Sequence, residues 1–186
     1  MPVDPSSLDL RLYPDPALRR RCKPVAAVTD EVRAVAARMI ELMRREEGIG
    51  LAAPQVGLAW RLFVADVPAG DTRSADTDPP TATRGPLVCV NPVLSSPLGP
   101  VDPYEEGCLS IPDVQGDVLR PAGITLTATG LDGKEFTARA GGLLSRCWQH
   151  EVDHLDGVLI LDRMTQMSRL KNRAAVRDLE RAAGTR

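Results

Sequence analysis

Aromatic side chains and long apolar runs are both scarce in this sequence, and each shortage excludes something. Only 3% of the 186 residues are aromatic, so any core must be built mainly from aliphatic side chains. No stretch approaches the roughly 20 apolar residues that a membrane-spanning helix needs. The opening Met-Pro-Val-Asp-Pro has no basic region followed by an apolar run, so we expect a cytoplasmic protein with neither a secretory signal nor a membrane partner.

A strong charge of one sign is also lacking. The net charge is only −2 at pH 7, which gives no reason to expect nucleic acid as the substrate. A chain of 186 residues suits one domain, and no break in composition divides it, so we predict a single domain over residues 1–186. The four cysteines show no CxxC spacing, which argues against a zinc finger and leaves free thiols or single metal ligands.

Hydrophobic periodicity predicts helices and strands along most of the chain. The predicted helices cover residues 30–48, 142–156 and the tail from 163 onward, with Thr29 or Asp30 capping the first and Gly157 ending the second. The predicted strands cover residues 62–67, 87–90, 124–129 and 135–140, the last two joined by an Asp132-Gly133 turn. Residues 68–86 are rich in Pro, Gly, Asp, Thr and Ser, which predicts a mobile surface loop.

The tail from Arg163 onward carries a local excess of charge that the whole chain lacks. Residues 163–186 hold seven Lys or Arg residues against Asp178 and Glu180, a net charge of +5. A solvated helix explains this pattern as well as a basic surface for a polyanionic partner does, so both interpretations stay open.

The only two histidines, His150 and His154, stand four residues apart with Glu151 directly after the first. On a helix this spacing puts both imidazoles on one face, where they can reach the same metal ion. Glu151 would project beside them, close to where water could be activated. The pattern therefore predicts a metal site rather than a structural pair of histidines.

A catalytic metal site normally has three protein ligands and one open position for water, so a third ligand must be found. Asp156 and Asp162 lie downstream of the histidines, and Cys108 lies upstream. Glycine and polar residues surround Cys108, which is unusual for a core thiol, whereas Cys89 and Cys147 lie among apolar residues. Cys108 is the best thiolate candidate, and the two aspartates remain alternatives.

A glycine-rich segment between the first helix and the first strand is a further candidate. Its glycines would let the backbone approach a ligand closely, and Gln55 could offer an amide N–H to an oxyanion. The segment lacks the lysine of a phosphate-binding loop, so by itself it indicates no more than a turn.

Three segments taken together resemble the signatures of the peptide deformylase family. They are Gly48-Ile49-Gly50-Leu51-Ala52-Ala53-Pro54-Gln55, Glu106-Gly107-Cys108-Leu109-Ser110 and Gln149-His150-Glu151-Val152-Asp153-His154. Their order and approximate spacing also match, and the resemblance extends from the Pro14-Asp15-Pro16 arm to about Leu161. Each signature is modest alone, but the combination is highly specific.

The resemblance implies an α+β fold, with small, mostly antiparallel sheets around a central helix that carries His150 and His154, and a C-terminal helix. It implies Cys108, together with both histidines, as ligands of one divalent metal ion. In the family this ion is usually Fe²⁺, and Zn²⁺, Ni²⁺ or Co²⁺ can occupy the site. The implied reaction removes the N-formyl group from nascent polypeptides that begin with formyl-methionine and releases formate.

Individual roles are also implied by the resemblance. Glu151 would take a proton from water and deliver it to the leaving amine. The side-chain amide of Gln55 and the backbone N–H of Leu109 would meet the developing oxyanion. The residues implied in substrate binding are Ile49, Gly50, Glu106, Leu143 and Cys147. An ion pair between Glu106 and Arg120 behind the cysteine segment is a further hypothesis.

Some bacterial members of the family dock a C-terminal helix on the ribosome, which makes the ribosome a candidate partner of the basic tail. Two other interpretations remain. A zincin-type metallopeptidase also uses two histidines at this spacing, but it would need a third His or Glu ligand downstream. A catalytically silent metal-binding or ribosome-associated module would have no use for Glu151 and Gln55.

Overall fold

Five antiparallel strands form one sheet in the order β1-β2-β3-β4-β5 in the computed structural model, which describes residues 2–184. The strands are β1 Gly50–Ala52, β2 Leu62–Ala65, β3 Leu87–Cys108, β4 Ile111–Thr129 and β5 Glu135–Gly141. The helices are α1 Asp30–Arg45, α2 Gly142–Leu155, α3 Ile160–Arg163 and α4 Gln166–Gly184. The expected α+β class is confirmed, although one continuous sheet replaces the several small sheets that were expected.

Helix α1 follows its sequence pattern at the start and departs from it at the end. Thr29 caps the helix by accepting a hydrogen bond from the backbone N–H of Val32 at 3.3 Å. The prediction that Gly48 ends the helix was wrong, because α1 stops at Arg45 and Glu47 takes the left-handed conformation with φ 55°. A Cβ at Gly48 would lie 2.5 Å from Cδ1 of Leu109, so a larger residue there would displace that side chain.

Helix α2 is the buried centre of the fold. It begins after β5 and ends at Leu155, with Gly157 in the left-handed conformation at φ 74°, as the sequence predicted. Its apolar side packs against the sheet in a core of Leu, Ile, Val, Ala and Cys side chains, with Phe63 and Trp148 buried among them and Phe136 packed against them. The central helix therefore holds its polar residues in surroundings from which water is largely excluded.

The hairpin of β3 and β4 is far longer than the predicted strands, 87–90 and 124–129. Pro92, Pro97, Pro100 and Pro103 lie within β3, although proline is uncommon inside a strand. Register shifts between Val90 and Val101 accompany the first three prolines, whereas Pro103 pairs in register with Leu119, so the ladder continues to the end of the strand. The hairpin carries the chain to Cys108, and Leu109 and Ser110 form the turn into β4.

The remaining segments attach to this frame. The predicted loop 68–86 is irregular, as expected, and is fastened to the end of β5 by a hydrogen bond from the Gly141 N–H to the Pro80 carbonyl at 2.9 Å. Helix α4 is tied to β4 by the Asn172 amide, which donates to the Gln115 carbonyl at 2.7 Å. Arg186, counted in the basic tail, lies outside the described residues. Among residues 2–184, no helix combines the length and apolar character that crossing a membrane requires.

Candidate metal centre and pocket

The end of the β3–β4 hairpin and helix α2 bring three metal-ligand donors together. Cys108 Sγ lies 3.2 Å from His154 Nε2, which in turn lies 3.2 Å from His150 Nε2. All three donor atoms lie within 4.8 Å of one another. Donors that share one tetrahedral ion at bond lengths of about 2.0–2.3 Å lie roughly 3.3–3.6 Å apart, so the cluster fits a single metal ion.

The two carboxylates that remained alternatives to Cys108 are engaged elsewhere. Asp156 accepts a hydrogen bond from Arg61 at 2.8 Å, and Asp162 is paired with Arg19. Neither belongs to the group of converging donors that the described residues contain. The geometry thus favours the thiolate that the sequence indicated.

His150 is held from behind by Glu106. Its Nδ1 lies 3.3 Å from Glu106 Oε2, which leaves Nε2 directed toward the other two donors. The hypothesis of a Glu106–Arg120 ion pair agrees with the structure, because the guanidinium makes two hydrogen bonds to the carboxylate at 2.8 and 3.0 Å. Burial opposes ionisation of Glu106, but hydrogen bonds from His150 and Arg120 outweigh it and lower its pKa to about 2.

Glu151 lines the same pocket and is 3% exposed. Its Oε2 is buried with no hydrogen-bond partner among the described residues, so one oxygen is left for a molecule in the pocket. Burial raises the pKa of this carboxyl to about 7, against the opposing charge of His150. A group in this condition can exchange a proton with a bound molecule.

Gln55 and Leu109 stand beside the thiolate. The Gln55 side-chain carbonyl accepts from the Ala52 N–H at 2.8 Å, which fixes the amide so that its NH₂ faces the site. That nitrogen donates to Ser110 Oγ at 3.1 Å and lies 3.6 Å from Cys108 Sγ. Sequence reasoning missed Ser110, which is fully buried and follows Cys108 by two positions. Leu109 lies in the turn directly after the cysteine.

A cavity of about 480 Å³ opens over the metal donors. All five residues implied in substrate binding line it, namely Ile49, Gly50, Glu106, Leu143 and Cys147. The Cys147 thiol donates to the Ile49 carbonyl at 3.4 Å, and burial raises its pKa well above the ordinary value, so it stays protonated. The cavity therefore has apolar walls beside the metal donors and the buried Glu151 carboxyl.

Arg146 and Tyr104 also line this cavity and were not among the predicted site residues. The Arg146 guanidinium donates to the Asp102 carbonyl at 2.6 Å and to the Val118 carbonyl at 3.2 Å. It also lies 5.1 Å from the centre of the Tyr104 ring. These contacts fasten the guanidinium of Arg146 to the hairpin. Arg146 therefore forms part of the pocket wall and does not offer a free cation to a ligand.

The pocket requires glycine at position 50. A Cβ there would lie 2.4 Å from Glu151 Oε1 and 2.8 Å from Cys147 Sγ, both closer than real contacts allow. We expect Gly50→Ala to displace the Glu151 carboxylate. It should lower kcat/KM for the hydrolysis that the sequence resemblance implies by about 100-fold, as misplacement of a reacting group by an ångström does.

Steady-state kinetics of Gly50→Ala, with bound metal quantified on the same sample, checks this expectation. Gly184→Ala is the matched control, because a Cβ at position 184 meets nothing within 4 Å. Equal kcat/KM in the two variants would contradict the close approach of Gly50 to Glu151.

Comparisons with known proteins agree on one family. The sequence profile of a family described as polypeptide deformylase matches residues 7–170. A peptide deformylase of Picosynechococcus sp. is 42% identical over 185 residues, covering 97% of this chain and 94% of the relative. One of Agrobacterium fabrum is 41% identical over 174 residues, covering 94% and 95%. The crystal structure of the Ehrlichia chaffeensis peptide deformylase superposes with a TM-score of 0.85 at 30% identity, covering 96% of this chain and 97% of that one.

Proposed function

The chain belongs to the peptide deformylase family, and on that basis we propose which of its residues remove the N-formyl group from nascent polypeptides. The observation that carries the proposal is the convergence of donor atoms from Cys108, His150 and His154. It lies at a pocket lined by Cys108, His150 and Glu151, and Glu151 has a buried, unpartnered carboxylate oxygen there. The family and the fold make the chain a metal-dependent amide hydrolase. The roles of individual residues, below, are our proposal.

We assign the metal ion to Cys108, His150 and His154. The donor set of one thiolate and two imidazoles suits divalent transition metals, and the spacing of the donors fits a single ion. A divalent ion bound there lowers the pKa of water and polarises a carbonyl oxygen. Glu106 fixes the ring of His150 by accepting a hydrogen bond from its Nδ1–H, which leaves Nε2 unprotonated and available as a metal ligand.

Glu151 is the proposed general base and acid. Its free Oε2 takes a proton from the attacking water, and the same carboxyl then delivers that proton to the nitrogen of the leaving amine. The space beside the carboxylate is narrow, because a side chain at position 50 would clash with both Glu151 and Cys147. The amide bond between the formyl carbon and the methionine nitrogen breaks, and formate and a free amine are released.

The developing negative charge on the formyl oxygen needs hydrogen-bond donors. The Gln55 side-chain amide is one proposed donor, with its oxygen accepting from the Ala52 N–H and its NH₂ donating to Ser110 Oγ. The backbone N–H of Leu109 is the other proposed donor. Both donors are fixed before the substrate arrives, Gln55 by its hydrogen bonds and Leu109 by the hairpin turn. Fixed donors stabilise the transition state without having to reorganise.

The methionine side chain is proposed to enter the apolar part of the pocket between Ile49, Leu143 and Cys147. The backbone at Ile49 and Gly50 precedes or begins the short strand β1 and can pair with an extended peptide. Glu106 lines the pocket, but its two oxygens are bonded to Arg120 and His150. We therefore assign Glu106 to holding His150 rather than to gripping the peptide.

The alternative of a zincin-type endopeptidase receives no support. Such an enzyme would need a third His or Glu ligand after the histidine helix, whereas the third converging donor among the described residues is Cys108. The chain also aligns over nearly its whole length with peptide deformylases.

The physiological metal is proposed to be Fe²⁺, in keeping with the resemblance stated from the sequence. The thiolate of Cys108 is only half-buried, so a ferrous site would be open to oxygen and the ligand open to oxidation. We expect anaerobically purified protein to contain iron and to release formate from formyl-Met-Ala-Ser. A chelator should abolish this activity, and Fe²⁺, Ni²⁺ or Co²⁺ should restore it.

Metal analysis and a formate assay on one anaerobic sample measure both expectations. The unformylated peptide Met-Ala-Ser, and a longer peptide with internal bonds only, are the controls. Cleavage of the internal peptide without formate release would contradict the proposed reaction, and full activity without metal would contradict the metal assignment.

The ribosome is the proposed partner of α4, because nascent chains leave it with their formyl groups and because α4 is basic. Lys171, Arg173 and Arg177 are exposed on this helix, while Ser168 and Asn172 face β4. The exposed cations can therefore meet phosphate groups without disturbing the contacts that fasten the helix. Action on nascent chains would place the protein in the cytoplasm.

We expect changing Lys171, Arg173 and Arg177 together to glutamine to weaken co-sedimentation with ribosomes and to flatten its dependence on salt. Changing three exposed cations on the opposite terminus, Arg20, Arg21 and Lys23, to glutamine is the matched control. Equal binding of the two triple variants would remove α4 as the docking surface. Deletion of the helix is a poorer test, because it would also expose the residues of β4 that α4 covers.

A further inference from the structure

An exposed arginine at the end of α3 is connected to the metal-site helix by an unbroken series of ion pairs. We propose that Arg163 is a positioning residue that acts on His150 through these buried charges. The proposal depends on the proposed role of His150 as a metal ligand. It adds to that role a control point on the protein surface, outside the pocket.

The series of contacts runs from the surface inward. Arg163 Nη2 donates to Asp153 Oδ1 at 2.7 Å, and its Nε donates to Asp153 Oδ2 at 3.2 Å. Asp153 Oδ2 also accepts from Arg120 Nη1 at 2.8 Å. The other two nitrogens of Arg120, Nε and Nη2, donate to Glu106. Glu106 Oε2 in turn lies 3.3 Å from His150 Nδ1. Every neighbouring pair along the series is opposite in charge or joined by a hydrogen bond.

Burial makes the members of this series dependent on one another. The side chains of Arg120, Glu106 and Asp153 are 5%, 8% and 12% exposed, whereas that of Arg163 is 51% exposed. A buried charge that loses its partner costs far more than a surface ion pair contributes, so a buried group shifts toward any partner that remains. Without Arg163, Asp153 has Arg120 as its remaining charged partner and competes with Glu106 for it.

We expect the competition for Arg120 to change the orientation of the His150 imidazole. Arg120 holds both oxygens of Glu106, and Oε2 is the atom that meets His150 Nδ1. A guanidinium drawn toward Asp153 would loosen that carboxylate and with it the orientation of the ring. Arg146, which lies 3.5 Å from Glu106, is held by two backbone carbonyls and is poorly placed to compensate. Residues that orient a metal ligand typically alter metal affinity by about 10- to 100-fold when they are changed.

Asp153 is well placed for this task. It directly follows Val152 on α2 and precedes His154, so it lies within three positions of both proposed histidine ligands. Arg163 is the last residue of α3, and the next bridge, from Met164 to Val118, attaches the chain to β4. The segment that leads into α4 is thus joined to the metal helix through one carboxylate.

The test measures release of Co²⁺ from the loaded protein to an excess of a chromophoric chelator, together with the visible absorption of the bound ion. We expect Arg163→Met to release Co²⁺ about 10-fold faster than the unchanged protein and to alter the absorption bands. Arg163→Lys, which keeps the charge, should recover much of the slow release. KM for formyl-Met-Ala-Ser should stay unchanged, because Arg163 does not line the pocket.

Arg19→Met is the matched control. Arg19 is also an exposed arginine and pairs with Asp162 on the same short helix. Its charge acts on His154 through space, but among the described residues no hydrogen bond or ion pair leads from that pair to His150. It should release Co²⁺ at the rate of the unchanged protein. In an Asp153→Asn background, Arg163→Met should add nothing further, since the two residues act in series.

Three results would overturn the inference. Release from Arg163→Met at the unchanged rate would show that the surface arginine does not reach His150. Equal acceleration by Arg19→Met would show a general loosening of α3 instead. Failure of the unchanged protein to bind Co²⁺ at all would overturn the metal site itself, and so can be told apart from the other two.

Discussion

Replacing Glu151 with glutamine is expected to lower kcat for formyl-peptide hydrolysis by about 10²- to 10⁴-fold, the usual contribution of a general base. Glutamine keeps the shape of the side chain and removes its ability to accept and return a proton. The metal donors are other residues, so metal content should stay at the level of the unchanged protein. Single-turnover formate release, normalised to bound metal, measures the effect.

The control for this variant is a carboxylate that is far from the pocket. Glu135→Gln alters an exposed residue at the start of β5 and should leave kcat unchanged. Glu151→Asp should restore part of the activity, limited by the shorter reach of its carboxylate. A Glu151→Ala variant that binds metal and keeps full activity would show that this residue is not the base.

Replacing Cys108 with alanine is expected to have the second large effect, the joint loss of metal and activity. Residues that merely orient a ligand already alter metal affinity by about 10- to 100-fold, so loss of a ligand should weaken binding by on the order of 100-fold or more. Two imidazoles would remain, and a catalytic site normally needs a third protein ligand. Dialysis against a metal buffer, followed by metal analysis and the formate assay, gives both quantities.

Cys22→Ala provides the matched control, because it deletes the same side chain at a buried position outside the pocket. We expect it to reduce the temperature of unfolding slightly and to leave metal content and kcat as they were. If Cys108→Ala bound metal as tightly as the unchanged protein, the thiolate would not be a ligand. The ligand set would then have to be sought again around the two histidines.

The parts of the site that were predictable are those encoded by short-range spacing. His150 and His154 lie four residues apart, and helix geometry alone puts them on one face. The place of Cys108 was indicated by its polar neighbours and by the family resemblance, and not by local spacing, because its meeting with the histidines depends on strands paired over a long distance in sequence. The sequence analysis predicted only residues 87–90 of β3, and the rest of this strand contains four prolines, which usually mark a loop or a sheet edge.

The contacts that a single sequence does not reveal are those between side chains of distant elements. Ser110 and Arg146 are ordinary residues in sequence, and only the folded hairpin shows that one holds Gln55 and the other walls the pocket. The predicted end of α1 was wrong for a related reason. Gly48 was predicted to end the helix. In the structure, its missing side chain leaves room for Leu109, which approaches from the hairpin turn.

The convergence of a hairpin end and a helix on one ion also bears on folding. Cys108 and His154 are 46 residues apart in sequence, so an ion that binds both closes a long loop as a reversible cross-link. A permanent cross-link across a loop of that length would lower the entropy of the unfolded chain by an amount equivalent to about 4 kcal/mol. Metal supply would then set the lifetime of this enzyme in the cell as well as its rate, because the ion-free chain unfolds more readily.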